Sequence, residues 1–133
     1  MSARIKKVLI LEDDCDLAAS YQMILGLMLP HQLHVLHDMK EMLASSADAL
    51  ACDVALIDVD LGHNQPTGLD AYQWLRENGF KGSIFFVTGH ARTHPAVVEA
   101  VELNGVSLLQ KPVELDRLIE AINSGKTNVA VHS

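Results

Sequence analysis

Five short apolar runs, each stopped by a polar or charged residue, constrain this chain more than any other feature. They are Lys7 to Leu11 (KVLIL), the weaker Gln32 to His37, Asp53 to Asp58 (DVALID), Ser83 to Val87 (SIFFV) and Val106 to Gln110. Runs this short and rich in Val, Ile and Phe read as strands. The clearest of them do not alternate apolar with polar, so both faces need cover, which implies a parallel sheet between helices. Between the runs, apolar residues recur at helical spacing. Leu17, Tyr21, Ile24, Leu25 and Met28 form the inward stripe of a first helix ended by Pro30. Asp38, with Glu41 three residues on, opens a second helix to about Ser46 through a capping box. A third runs from Leu69 to Asn78 with Gly79 at its end. A fourth spans Pro95 to Asn104, with Val97, Val98 and Val101 inward and Gly105 as its stop. Leu115, Leu118, Ile119 and Ile122 mark a fifth. Strict alternation of strand and helix predicts a doubly wound α/β domain, and such domains hold ligands beyond the carboxyl ends of their strands.

The bulk numbers narrow the class. At 133 residues the chain suits one domain, and 49% hydrophobic with 20% charged residues is globular composition. The domain is expected over 1–124, with 125–133 as a tail or the start of a linker. A formal net charge of −7 argues against a bare nucleic-acid binder. No apolar run approaches the roughly 20 residues of a membrane span, and the N-terminus lacks a secretory apolar segment. Cys15 and Cys52 form no CxxC, so free thiols in a reduced, cytoplasmic setting are expected, both as small core fillers. His31, His34 and His37 are spaced three apart, but across a loop and a strand. Strand parity sends the last two to opposite faces, so a zinc site is not expected.

The residues that end the strong strands carry the chemistry. The first strand delivers Glu12 and Asp13, the third Asp58, the fourth Thr88 and the fifth Lys111. Asp14, beside the acid pair, reads as a helix cap. An Asp-x-Asp such as Asp58-Val59-Asp60 is by itself an ordinary strand-to-loop turn. In company with the other ends it becomes a site. Carboxylates gathered on one edge repel one another, and hard oxygen ligands suit Mg²⁺, held together with phosphate oxygens. A Lys and a Thr hydroxyl supply the cation and hydrogen bond that a phosphoryl group needs. Asp58 is then a carboxylate nucleophile able to form an acyl phosphate.

From about Lys6 to Ser124 the chain resembles a receiver domain of two-component response regulators, CheY-like, with these motifs in the family's order. The resemblance implies a flavodoxin-like, five-stranded parallel sheet of order 2-1-3-4-5 flanked by five helices. It implies phosphoryl transfer from a histidine kinase phosphohistidine to Asp58. By matching positions, Asp13 would ligate Mg²⁺ directly, Glu12 through water, and Asp60 by its backbone carbonyl. Thr88 would be the switch hydroxyl, and Lys111 would pair with phosphoryl oxygens. Lys111-Pro112 matches a family Lys-Pro whose bond is usually cis. Asp60 and His90, with Gly89 between Thr88 and His90, would modulate phosphoryl lifetime, and His63 lies on a nearby loop. The family's frequent aromatic residue three before the Lys is Leu108 here, and the loop after Asp58 is longer than usual, with Gly62 where Pro is common.

The implied partners are a sensor kinase or phosphotransfer protein, and an output domain or protein reading roughly Pro95 to Asn123. Direct nucleic-acid and membrane contact are not expected, and a homodimer on phosphorylation is. The expected role is signal relay, not enzymatic turnover. A haloacid-dehalogenase-like phosphatase shares these residue types, but there the Asp nucleophile comes first and the acid pair last. A degenerate receiver used only for binding is disfavoured by the complete set of Glu12, Asp13, Asp58, Thr88 and Lys111. No P-loop, GxGxxG or GxSxG occurs.

Overall fold

The computed structural model describes residues 5–61, 67–89, 95–102 and 106–124. The expectations for Gly62, His63, His90, Asn104, Gly105 and the tail 125–133 lie outside the described residues. Five strands, β1 (Lys7–Leu11), β2 (Gln32–Leu36), β3 (Val54–Asp58), β4 (Ser83–Thr88) and β5 (Val106–Gln110), pair in parallel in the order β2-β1-β3-β4-β5. The chain leaves β1 toward one side to make β2 and returns to the other side to make β3. That reversal opens a crevice between the carboxyl ends of β1 and β3, the usual ligand position in such sheets. In register, Leu11 faces Ile57 across this boundary, and Asp58 lies opposite Val87.

The period of two within each strand divides the core into two layers. Leu9, Leu11, Ala55, Ile57, Ile84 and Phe86 pack on one face with Met42, Ala71 and Leu75. Val8, Ile10, Val54, Leu56, Phe85 and Val87 pack on the other with Leu25, Leu118 and Ile122. Among the described residues six helices cover these faces, not five: α1 (Cys15–Met28), α2 (Met39–Ala44), α3 (Ser46–Leu50), α4 (Gly68–Glu77), α5 (Pro95–Val101) and α6 (Leu115–Ser124). The expected second helix breaks at Ser45, whose φ of −117° and ψ of 35° leave the helical region. Ser45 caps the end of α2 and the start of α3. Adjacent serines compete for the backbone and favour caps over helix interiors.

Two helix faces differ from the periodicity reading. In α1, Ala18 and Leu25 are buried and Tyr21 half-buried, but Ile24 and Met28 are exposed. The helix is apolar most of the way round, so the sequence does not define a unique stripe. In α5, Val97 and Ala100 are buried and Val98 is exposed. Cys15 is also exposed, while Cys52 is the core filler expected. Burial pushes the Cys52 thiol up to about 12.

The histidines do structural work. His37 meets Glu41 Oε1 through both its N–H and its Nδ1. At the amino edge of the sheet, His31 Nδ1 accepts the Lys6 N–H at 3.0 Å, and its Nε2 lies 2.8 Å from Asn123 Oδ1. Lys6 Nζ donates to the carbonyls of Ile122 and Asn123, so the end of α6 is tied to the start of β1. Among the described residues no buried side-chain nitrogen or oxygen lacks a hydrogen-bond partner. No helix among them is long and apolar enough to cross a membrane.

Candidate functional site

The site is built from strand ends and the turns that follow them. Glu12 leaves β1 with its N–H on the Leu36 carbonyl at 2.9 Å. Asp14 then caps α1, its carboxylate accepting from Asp16 N–H and Leu17 N–H. Asp13 lies in the middle of the short connection, Glu12 to Asp14, between β1 and α1. Asp58 ends β3, and its Oδ1 accepts the Asp60 N–H at 3.1 Å, an Asx turn that orients the carboxylate. On the far side, the Lys111 N–H donates to the Thr88 carbonyl at 2.7 Å, and the Lys111-Pro112 bond is cis.

These turns bring the side chains together. Lys111 Nζ lies 2.9 Å from Glu12 Oε1 and 3.0 Å from Asp58 Oδ2. Glu12, Asp13 and Asp58 each present a carboxylate oxygen, all within 4.8 Å of one another. They line an open cleft of about 300 Å³ with Asp14, Asp60, Gly89 and Lys111. Thr88 is fully buried at the end of β4. A larger recess of about 420 Å³ opens at the amino edge of the sheet, lined by Lys6, Asp53, Lys81 and Ser83 among others. Its lysines and single carboxylate form no comparable cluster. Leu108 is half-buried on the α4 side of the sheet.

One ammonium does not compensate three carboxylates. Burial, then the hydrogen-bonded Asp58, push the Glu12 carboxyl up to about 7, with Lys111 opposing. Asp13 is raised as well, by burial first and then by the charge of Glu12. Burial alone would pull the Lys111 ammonium down, but its bonds to Glu12 and Asp58 outweigh this and hold it above its ordinary range. Tyr21, on α1, is raised by burial and then by Glu12. The cluster is an all-oxygen donor set with surplus negative charge, which fits a hard divalent cation such as Mg²⁺.

Gly68 belongs to this machinery and was not singled out by sequence. A Cβ there would sit 2.2 Å from the Asp58 carbonyl oxygen and 3.0 Å from Ile57 Cγ2. Its N–H donates to the Val59 carbonyl at 2.9 Å, so the first turn of α4 braces the segment carrying Asp58. Thr67 and Asp70 cap that turn reciprocally. The Thr-x-x-Asp spacing before Ala71 and Leu75 is a legible cap signature. The close backbone approach at Gly68 has no such signature.

The sequence profile described as "Response regulator receiver domain" matches residues 8–123. The chain belongs to this family. Solved structures share the fold. A CheY-like receiver protein from Methanospirillum hungatei JF-1 is 23% identical with a TM-score of 0.77, covering 92% of this chain and 94% of that one. Full-length FixJ from B. japonicum is 24% identical with a TM-score of 0.76, covering 92% of this chain and 58% of that one. A Burkholderia pseudomallei response regulator, solved with a phosphorylated aspartic acid, calcium ion and citrate, is 22% identical with a TM-score of 0.74. The match covers 90% of this chain and 68% of that one. No curated protein matches the chain. In this receiver domain Glu12, Asp13, Asp58 and Lys111 gather at the switch point of the sheet.

Proposed function

We propose that this receiver accepts a phosphoryl group on Asp58 and relays it as a change of surface. The observation that carries this reading is the Asp58 carboxylate at the tip of β3, 3.0 Å from Lys111 Nζ and clustered with Glu12 and Asp13. Glu12, Asp13, Asp58 and the Asp60 backbone carbonyl are the groups that would hold Mg²⁺. When bound, the ion supplies positive charge against the carboxylates and the phosphoryl oxygens. An Asp58 oxygen attacks phosphorus in line as the bond from phosphorus to the donor imidazole nitrogen breaks, and the imidazole keeps the electron pair. Lys111 exchanges its bond to Asp58 for one to a phosphoryl oxygen, and the Thr88 hydroxyl donates to another. Asp60, Gly89 and His90 are assigned to modulating the lifetime of the acyl phosphate, which water later hydrolyses. The chemistry is self-phosphorylation and self-dephosphorylation on one aspartate, not turnover of a substrate.

The donor in this reading is a cytoplasmic histidine kinase or phosphotransfer protein. The readout is the face of α5, β5 and α6, which passes the change to an output domain or pairs two phosphorylated copies. With Leu108 in place of an aromatic, the coupling rests on Thr88 and Lys111 rather than on a swinging ring. The phosphorylated aspartate of the Burkholderia structure supports the reading by likeness of fold.

Intact-mass measurement after incubation with acetyl phosphate tests it, with and without Mg²⁺, for the natural chain and Asp58→Asn. The expected result is a gain of one phosphoryl group that needs Mg²⁺ and is lost in Asp58→Asn. If neither phosphorylation nor Mg²⁺-dependent beryllofluoride binding occurs, the chain is a binding module without phosphoacceptor chemistry.

A further inference from the structure

The cleft over Asp58 holds more negative charge than its chemistry uses. Its lining offers the carboxylates of Glu12, Asp13, Asp14, Asp58 and Asp60 against the single ammonium of Lys111. Glu12, Asp13 and Asp58 gather within 4.8 Å of one another, and the Lys111 ammonium together with one divalent cation would balance them. Asp14 and Asp60 are then left over, and both are exposed. Asp16, two residues beyond Asp14, is exposed as well. The adjoining turn between β2 and α2 adds Asp38 and Glu41 against Lys40. That turn lies beside the cleft, because the Glu12 N–H donates to the Leu36 carbonyl.

Local structure does not require this surplus. Asp14 Oδ1 caps α1, accepting the Asp16 and Leu17 N–H groups at 3.0 and 3.1 Å. A cap needs an oxygen, and asparagine supplies one as well as aspartate. Asp58 Oδ1 closes its turn with the Asp60 N–H, so the Asp60 carboxylate takes no part in that bond. Asp16 gains from the amino end of α1, but for an exposed acid that gain is small and screened by salt. The other end of the strands differs, since Lys6, Lys7 and Lys81 stand there with Asp53. Negative charge is concentrated at the edge where a phosphodonor must arrive.

Given Asp58 as the phosphoacceptor, on which this reading rests, we infer that the rim of Asp14, Asp16 and Asp60 selects the donor by charge, favouring a protein whose phosphohistidine is set among lysines or arginines. A phosphoryl group itself brings about two negative charges. A small anionic donor therefore meets like charge at the entrance. A protein donor can surround its phosphohistidine with cations, which the rim attracts before contact and orients on arrival. The rim is thus a specificity device outside the reacting set of Glu12, Asp13, Asp58, Thr88 and Lys111.

Two synthetic phosphohistidine peptides, one flanked by lysines and one by glutamates, test this on the 133-residue chain at saturating Mg²⁺, beside acetyl phosphate. At about 0.05 M salt the lysine peptide should label Asp58 at least about tenfold faster than the glutamate peptide. At about 1 M salt, where the screening length is about 3 Å, the difference should fall below about twofold. The double variant Asp14→Asn, Asp16→Asn keeps the cap and removes two charges. It should shrink the low-salt ratio by about threefold or more and speed labelling by acetyl phosphate, with an unchanged circular-dichroism spectrum. Equal labelling by the two peptides overturns the inference. So does a preference that survives high salt or the double substitution, since it then belongs to the peptides' own reactivity. Labelling by acetyl phosphate with transfer from neither peptide overturns it too. No labelling by any of the three donors removes the phosphoacceptor reading itself, and this inference with it.

Discussion

Gly68 and Gly26 are the same residue type under opposite demands, and alanine at each separates them. At Gly68 the added methyl would overlap the Asp58 carbonyl at 2.2 Å, and backbone cannot step aside as a flexible side chain can. Gly68→Ala should cost about 1–3 kcal/mol in urea unfolding, the usual range for an overpacked core site. It should also slow acetyl phosphate labelling, because the strain falls on the segment that aims Asp58. At Gly26, in the last turn of α1, nothing lies within 4 Å, so Gly26→Ala should be tolerated and should stabilise the fold by up to about 1 kcal/mol in urea unfolding. Equal destabilisation at both positions would show that the close approach at Asp58 does not govern the first. Lys111 offers a third test at this scale. Its ammonium is the opposing positive group beside Glu12, whose carboxyl is already pushed up to about 7. Lys111→Met should move that carboxyl higher still, seen in its carbon chemical shift through a pH titration. A titration midpoint that stays put would mean that Lys111 does not hold Glu12 ionised.

The elements were legible in proportion to how local their causes are. The strands were read closely because each is an apolar run bounded by polar residues; their register, which sets Leu56 beside Phe85 and Ile57 beside Phe86, is a finding of the structure. The gathering of Glu12, Asp13, Asp58 and Lys111 was legible for the same reason, since each terminates such a run. The strand order came from family resemblance, because pairing partners are not local. The face of α1 was misread because Met23, Ile24, Leu27 and Met28 offer apolar surface in directions that the sheet does not use. The break at Ser45 was missed because a serine pair is compatible with either one helix or two. The helix expected over Leu69 to Asn78 lies within one residue of α4 at each end, but its cap went unread although it is local: Thr67 accepts the Asp70 N–H, and Asp70 Oδ2 accepts the Thr67 N–H at 2.8 Å. Thr67→Ala should cost about 1 kcal/mol, within the 0.5–2 kcal/mol range of lost N-caps. Because α4 begins at Gly68 against Asp58, the same variant should raise amide exchange at Val59 and Gly68. Protection unchanged there would confine the cap to helix stability alone.

At the scale of the whole molecule, the crowded carboxylates make global stability a reporter on the site. The Glu12 carboxyl sits near 4.5 when unperturbed and is raised to about 7 in the fold, first by burial and then by Asp58. Between those values the folded chain holds a proton that the unfolded chain has released. Stability without metal should therefore fall as pH rises through this window, with a slope of at most about 1.4 kcal/mol per pH unit. Asp13, also raised, acts in the same direction. The sign is opposite to that of a carboxylate stabilised by a salt bridge, although Lys111 bonds to both Glu12 and Asp58. It says that desolvation and mutual repulsion outweigh that one cation. A divalent ion reverses the balance, because it binds the ionised carboxylates and draws the folded state away from the protonated form. Mg²⁺ should then raise the unfolding temperature more at about pH 7.5 than at about pH 5, flattening the profile. Glu12→Gln removes the proton-binding group while keeping its size, and should flatten the metal-free profile by itself. Thermal unfolding of both proteins across this range, in chelator and in Mg²⁺, decides the matter. If Glu12→Gln keeps the natural slope, the pH dependence arises from the net charge of −7 spread over the surface, and the acidic cleft is not under the strain that its geometry implies.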